Sequence, residues 1–183
     1  MLKKMPPRMS HGRLFIMYYL TYTFICSTAN ACFKDAADLH ADLEEYPQAI
    51  ERYEQVANYS LNSPLTKYSV KEYWLRAGLC ALALGVSTFA SRKYDIVKLT
   101  LSRRQDVVTA KRNMAKYSTQ DATFNSTREA KFVLALIEAV ENGDSEAFTG
   151  AVVEFDQVTK LDNWKTNILL KIKRSIQDEM ALT

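Results

Sequence analysis

From Cys32 onward, one pattern repeats along the chain: apolar residues recur at helical spacing in segments of about 12–17 residues, separated by short polar breaks. Phe33, Ala36, Ala37 and Leu39–Leu43 form the first segment. Pro47 opens the second, at a position where the missing N–H is tolerated, and Ala49, Ile50, Tyr53, Val56 and Ala57 give it one apolar face. After the Asn62-Ser63-Pro64 break, Ser69 and Glu72 read as a capping box for a third helix through Tyr73, Trp74, Ala77 and Leu79–Leu84. Val107–Tyr117 follows, then Ser126–Asn142, with Glu129 completing a second capping box and Gly143 as C-cap. Ser145–Val158 and Leu161–Ile176 close the series. Outside 86–105, nothing in residues 32–183 shows the alternation of a strand. The chain is therefore expected to be all-α. A period of about 35–45 residues of paired helices points to a TPR-like α-solenoid of antiparallel hairpins. Such stacks present extended surfaces to partners and seldom carry catalysis.

Val86–Gln105 (VSTFASRKYDIVKLTLSRRQ) departs from this pattern. It is rich in Ser, Arg and Lys and lacks the helical spacing on either side, and Tyr94–Leu101 reads equally as strand, helix or loop. Joined directly, Gly85 and Asp106 would make a Gly-Asp turn between two helices. The family resemblance set out below implies that Gly85 should continue straight to Asp106, which would make the segment an in-frame insertion, a loop at a hairpin turn. Val-Ser can be encoded by GTAAGT and Gln by CAG, the two ends of an intron, so a retained intron is the expected origin. Turn tips tolerate such insertions.

The formal net charge is +3, but its distribution is uneven. Residues 1–31 carry Lys3, Lys4, Arg8 and Arg13 with no acid, and 86–105 carry five basic residues against Asp95. Setting both segments aside leaves 15 Lys and Arg against 20 Asp and Glu, an acidic body, so no nucleic-acid partner is expected. Cys26, Cys32 and Cys80 have no CxxC spacing, and His11 and His40 are the only histidines. No metal site, catalytic residue, nucleophile–base pair, phosphate loop or cofactor site is expected. Residues 14–26 (LFIMYYLTYTFIC) have the form of a signal peptide, being apolar after a basic stretch and before small residues, and are short for a membrane span. With no disulfide framework beyond it, and with the cytosolic family resemblance given below, 1–31 reads as an aberrant N-terminus or weak membrane anchor, with secretion as the minor alternative.

The words YPQAIERYEQVA, SPLTKYSVKEYWLRAGLC, STREAKF and FDQVTKLDNWKTNILLKIKRSIQ resemble the C-terminal half of the soluble NSF attachment protein (SNAP) family. The resemblance covers nearly all of 32–183 except 86–105. It implies a sheet of helix hairpins ending in a C-terminal helical bundle, in a cytoplasmic protein held peripherally at membranes. It implies an adaptor in vesicle-mediated transport that coats the acidic four-helix SNARE complex and recruits and stimulates the hexameric ATPase NSF for SNARE disassembly. By the same resemblance, Leu65, Lys71 and Arg128 face the SNARE bundle. Asp106, Glu138 and Glu141 meet basic patches of NSF, and Leu182, one residue from the end, stimulates the ATPase. Asn142 stands where the animal form has a third acid. The family is about twice as long, so SNARE affinity is expected to be reduced and the edge at 32–45 to expose apolar surface. The run 14–26 is a candidate to cover that surface. A generic TPR-like scaffold or a non-functional fragment is the alternative.

Overall fold

The computed structural model describes residues 28–90 and 96–180. Seven helices account for most of them: α1 (28–42), α2 (Tyr46–Leu61), α3 (Val70–Ala90), α4 (Ile96–Gln120), α5 (Arg128–Asn142), α6 (Ser145–Val158) and α7 (Asn163–Met180). There is no strand among the described residues. Short 3₁₀ turns, Lys67–Ser69 and Phe124–Ser126, precede α3 and α5.

Helix α3 is the centre of the molecule. Its residues from Trp74 to Ala83 are buried on every side, against α2, α4, α5 and α7, as expected of a helix apolar all round. The neighbours are amphipathic and bury one stripe each. Helix α2 buries Tyr46, Ala49, Tyr53, Val56 and Ala57; α4 buries Val107, Ala110, Met114 and Tyr117; α7 buries Ile168, Leu169, Ile172 and Ile176. The indole of Trp74 stacks on Tyr117 at 5.3 Å and meets Phe124 edge-on at 4.8 Å, which joins α3, α4 and the turn before α5. Phe132 and Phe155 stack at 4.2 Å and close the α5–α6 pair. At Gly78 an added Cβ would lie 2.9 Å from Val133 Cγ1, so the glycine lets α3 and α5 approach closely.

Helix α7 packs mainly on α3 rather than on α6, the helix before it, so the stack ends as a bundle. A charged hub fixes the crossing. The Arg76 side chain, only 6% exposed, donates to Asp38 of α1 (3.0 Å), Glu72 of α3 (3.2 Å) and Asp162 at the head of α7 (2.6 Å). Its guanidinium also lies 4.5 Å over the Trp164 ring. Burial pulls the Arg76 pKa down, but the three carboxylates outweigh it and hold the group above its ordinary value. Lys165 adds a second cation, 2.7 Å from Glu72.

Several helix limits differ from the sequence reading, for local reasons. Helix α1 already runs at residues 28–31, across the boundary expected after 31, since Ala29 and Ala31 are good helix formers. Thr127, not Ser126, caps α5 by accepting from the Ala130 N–H, because Ser126 is spent in the preceding 3₁₀ turn. Glu129 and Glu72 leave the expected capping boxes for Lys71 and Arg76. Gly143 ends α5 at φ 71°, the left-handed geometry expected of it, and Asp144 caps α6 with two backbone bonds.

The segment 86–105 is not a loop throughout. Residues 86–90 prolong α3 and 96–105 begin α4. The segment contains no Gly or Pro to stop either helix, and Ala, Leu, Lys and Arg favour continuation. The signal-like run 14–26 lies outside the described residues. The expected apolar edge is present on α1 and the turn after it, where Phe33, Leu39 and Leu43 are 39%, 64% and 70% exposed.

Candidate partner-binding edges

Helix α5 organises the expected site residues because it crosses the stack from one edge to the other. At its first residue Arg128 is exposed, with its guanidinium 5.9 Å from the Phe155 ring. The next residue, Glu129, accepts from Lys71 Nζ of α3 at 2.9 Å, which brings Lys71 beside Arg128. Leu65, in the turn before α3, is 70% exposed at the same edge. Lys67 reaches Asp121 at 3.9 Å there, and Tyr68 is 86% exposed. Hydrogen bonds from the hydroxyl and backbone N–H of Thr123 hold Asp121 below the usual carboxylate range. Arg128 and Lys131 make no ion pair among the described residues. The edge therefore combines cations with exposed Leu and Tyr.

The opposite edge is acidic. Glu138 and Glu141 are exposed on the last turns of α5, three residues apart and so on one face. At 1.5 Å per residue they stand about 15–20 Å from Arg128. Glu141 binds Lys111 of α4 at 2.6 Å, which places the neighbouring turns of α4 at this edge. Asp106 belongs to α4, little more than a turn before Lys111. Leu182 lies outside the described residues. The structure thus brings Leu65, Lys71 and Arg128 to one edge, and Glu138 and Glu141 to the other, joined there by the helix that carries Asp106. Lys67, Tyr68 and Lys131 were not singled out in the sequence. Their only signal is position, next to Leu65 and one turn beyond Arg128.

Among the described residues, no group of three or more His, Cys, Asp or Glu side chains is arranged to hold a metal ion, and no helix is long and apolar enough to cross a membrane. Cys80 is buried, which pushes its thiol pKa up and makes the reactive thiolate scarce.

A central buried helix, a stack of hairpins around it and two edges of opposite charge define a helical-repeat scaffold. A family model described as soluble NSF attachment protein, SNAP, matches residues 18–103 and 96–177. The chain is 59% identical over 157 residues to the vesicular-fusion protein SEC17 of Coprinopsis cinerea, covering 86% of this chain and 47% of that protein. It is 40% identical over 152 residues to the alpha-soluble NSF attachment protein of Dictyostelium discoideum, covering 83% of this chain and 45% of that protein. It is 37% identical over 153 residues to the beta-soluble NSF attachment protein of Bos taurus, covering 84% and 44%. The chain belongs to the soluble NSF attachment protein family, and it spans about half the length of the curated relatives it matches.

Proposed function

We propose that this chain is an adaptor, not an enzyme, in vesicle-mediated transport. It binds SNARE complexes by the edge of Leu65, Lys71 and Arg128, and it recruits and stimulates an NSF-type ATPase by Asp106, Glu138, Glu141 and Leu182. The observation that carries the reading is the separation of charge along α5: Arg128 and Lys131 near its start, where Glu129 is taken up by Lys71, and Glu138 and Glu141 near its end. Two partners of opposite charge can then be held at once, each drawn in by the complementary edge. A cytoplasmic chain, peripheral at the membrane through its partners, fits this role.

Family membership and the printed names of the relatives support the partners. The 183 residues as they stand are expected to bind the SNARE bundle more weakly than the longer relatives do. In the same reading, the basic and apolar stretch within 1–31 is an N-terminal segment that runs into α1, the family match beginning at residue 18, and 86–105 is an insertion within the helical-repeat domain 32–183. The family match falls into two segments, 18–103 and 96–177, whose overlap at 96–103 lies within 86–105, and this interruption of an otherwise continuous match supports the insertion. Sequencing the transcript across the codons of Gly85 and Asp106 tests it: intron-like ends are expected, and unrelated codons at both ends would refute the retained-intron origin.

The functional test is capture of the purified ATPase on immobilised SNARE bundle in the presence of this chain. Capture is expected to fall several-fold with Glu138→Lys or with Leu182→Ser, and with Arg128→Glu at the other edge. Capture indifferent to all three substitutions would refute the assignment.

A further inference from the structure

Between the start of α3 and the α4–α5 turn lies a cleft of about 480 Å³. Buried Val70, Trp74 and Phe124 line it, at 2%, 1% and 1% exposure, and Tyr68, Lys67 and Lys71 stand at its mouth. The volume is at the lower end of the range of small-molecule sites, which gives room for one or two side chains. We infer that this cleft is the socket for an apolar anchor side chain presented by the acidic partner helix. In this arrangement, Tyr68 and Lys67 are specificity-determining residues beside the expected Leu65 and Lys71.

Three observations carry the inference. The cleft is continuous with the SNARE-facing edge, because Pro64 and Lys71 line it and Leu65 follows Pro64 directly. Exposed Leu65 and Tyr68 flank an apolar interior, the arrangement in which a rigid, amphipathic ring covers an inserted anchor. The charges are layered by depth. The side chains of Lys67 and Lys71 are 54% and 44% exposed, whereas those of their partners Asp121 and Glu129 are 15% and 12% exposed. The pairs sum to zero, yet the cations lie outermost, so a partner approaching the mouth meets positive charge first. An acidic helix carrying a Leu, Ile or Phe on the docking face satisfies both the rim and the interior.

The inference rests on the SNARE-binding reading and refines it from charge complementarity alone to charge plus insertion. The test measures binding of purified SNARE bundle and, separately, of anionic phospholipid vesicles to the full chain. Two variants are compared, each checked for unchanged melting: Tyr68→Ala, which removes the cover, and Thr123→Trp, which fills the mouth from an exposed turn. Each is expected to weaken bundle binding about tenfold, the range of an interface anchor, without changing its salt dependence. Lys71→Ala is expected to weaken binding and flatten that salt dependence. Bundle binding by the wild type that both cleft variants retain in full would overturn the inference and leave the adaptor reading standing. Loss of vesicle binding alone would overturn it in favour of a lipid site. No bundle binding by the wild type would overturn both.

Discussion

Replacing Arg76 by Ala tests how the bundle is held together. The side chain is 6% exposed and serves three carboxylates drawn from α1, α3 and the head of α7. Removing one partner of a fully buried ion pair costs about 3–5 kcal/mol, because the remaining charge is left uncompensated. Here the carboxylates of Asp38, Glu72 and Asp162 are 22%, 34% and 43% exposed, so water recovers part of that loss. An electrostatic loss of about 2 kcal/mol is the appropriate scale. Loss of the stack on Trp164 adds about 1 kcal/mol. The total, about 3 kcal/mol, lowers the melting temperature of a chain this size by roughly 6–12 °C. Arg76→Lys keeps the charge but not the three-way fork, and should recover about half. The decisive measurement is Asp162→Asn in both backgrounds, by thermal and urea unfolding followed by circular dichroism. Asn keeps the acceptor that caps the Lys165 N–H, so the cap is not at issue. In the wild type the substitution should destabilise. In Arg76→Ala it should cost much less, since the three facing carboxylates then have only Lys165 and, at Asp38, Lys34 to offset them. Equal destabilisation in both backgrounds, or an Arg76→Ala variant within about 0.5 kcal/mol of wild type, would refute the hub.

Two further predictions concern packing and pH. Gly150 is exposed within α6 and a Cβ there would meet nothing within 4 Å, so Gly150→Ala should stabilise by about 0.5–1 kcal/mol. Gly78→Ala should destabilise by about 1 kcal/mol net, because stiff, β-branched Val133 cannot yield at 2.9 Å; urea unfolding of the two variants in the same direction would sink this reading. Tyr53 and Tyr117 are buried, and their hydroxyls donate to Asp38 and Glu54; burial first raises both pKa values, followed by the bond to Asp38 for Tyr53 and by the charge of Glu54 and then its bond for Tyr117. A folded-state pKa raised above the unfolded value near ~10 means that the stabilisation is complete below that pH and is lost as pH rises beyond it. Absorbance of tyrosinate should therefore appear for these two residues only together with loss of helical signal. Stability that increased with pH in that range would contradict the assignment.

The helices were legible because their signals are local. Spacing at Ala49, Tyr53, Val56 and Ala57, a proline at the start of α2 and a glycine after α5 act within a turn or two of the chain. The cap of α5 lies one residue on because Ser126 bonds within the preceding 3₁₀ turn, and Glu129 leaves the box because Lys71 of α3 claims it. Tyr94–Leu101 reads equally as strand, helix or loop because 86–105 has no helical period; its helical content rests on composition and on the absence of Gly and Pro. Arg76 gave no sign of its role. Its partners Asp38 and Asp162 lie 38 and 86 residues away, and no pattern in one sequence announces such pairings. The two charged edges were assigned through family resemblance alone, and the course of α5 supplies the geometry that spacing could not.

The docking of α7 on α3 has a consequence for the order of folding. Stacked repeats ordinarily grow from any point, because each unit needs only its neighbour. Here the last helix depends on the earliest: Asp162 meets Arg76, and Lys171 pairs with Glu44 across 127 residues. Until α1, α2 and α3 have assembled, α7 has neither its apolar seat nor its charged latch. The C-terminal bundle is therefore a late event that reads out whether the head of the chain is in place. A chain made in this direction completes its final helix only on a finished platform.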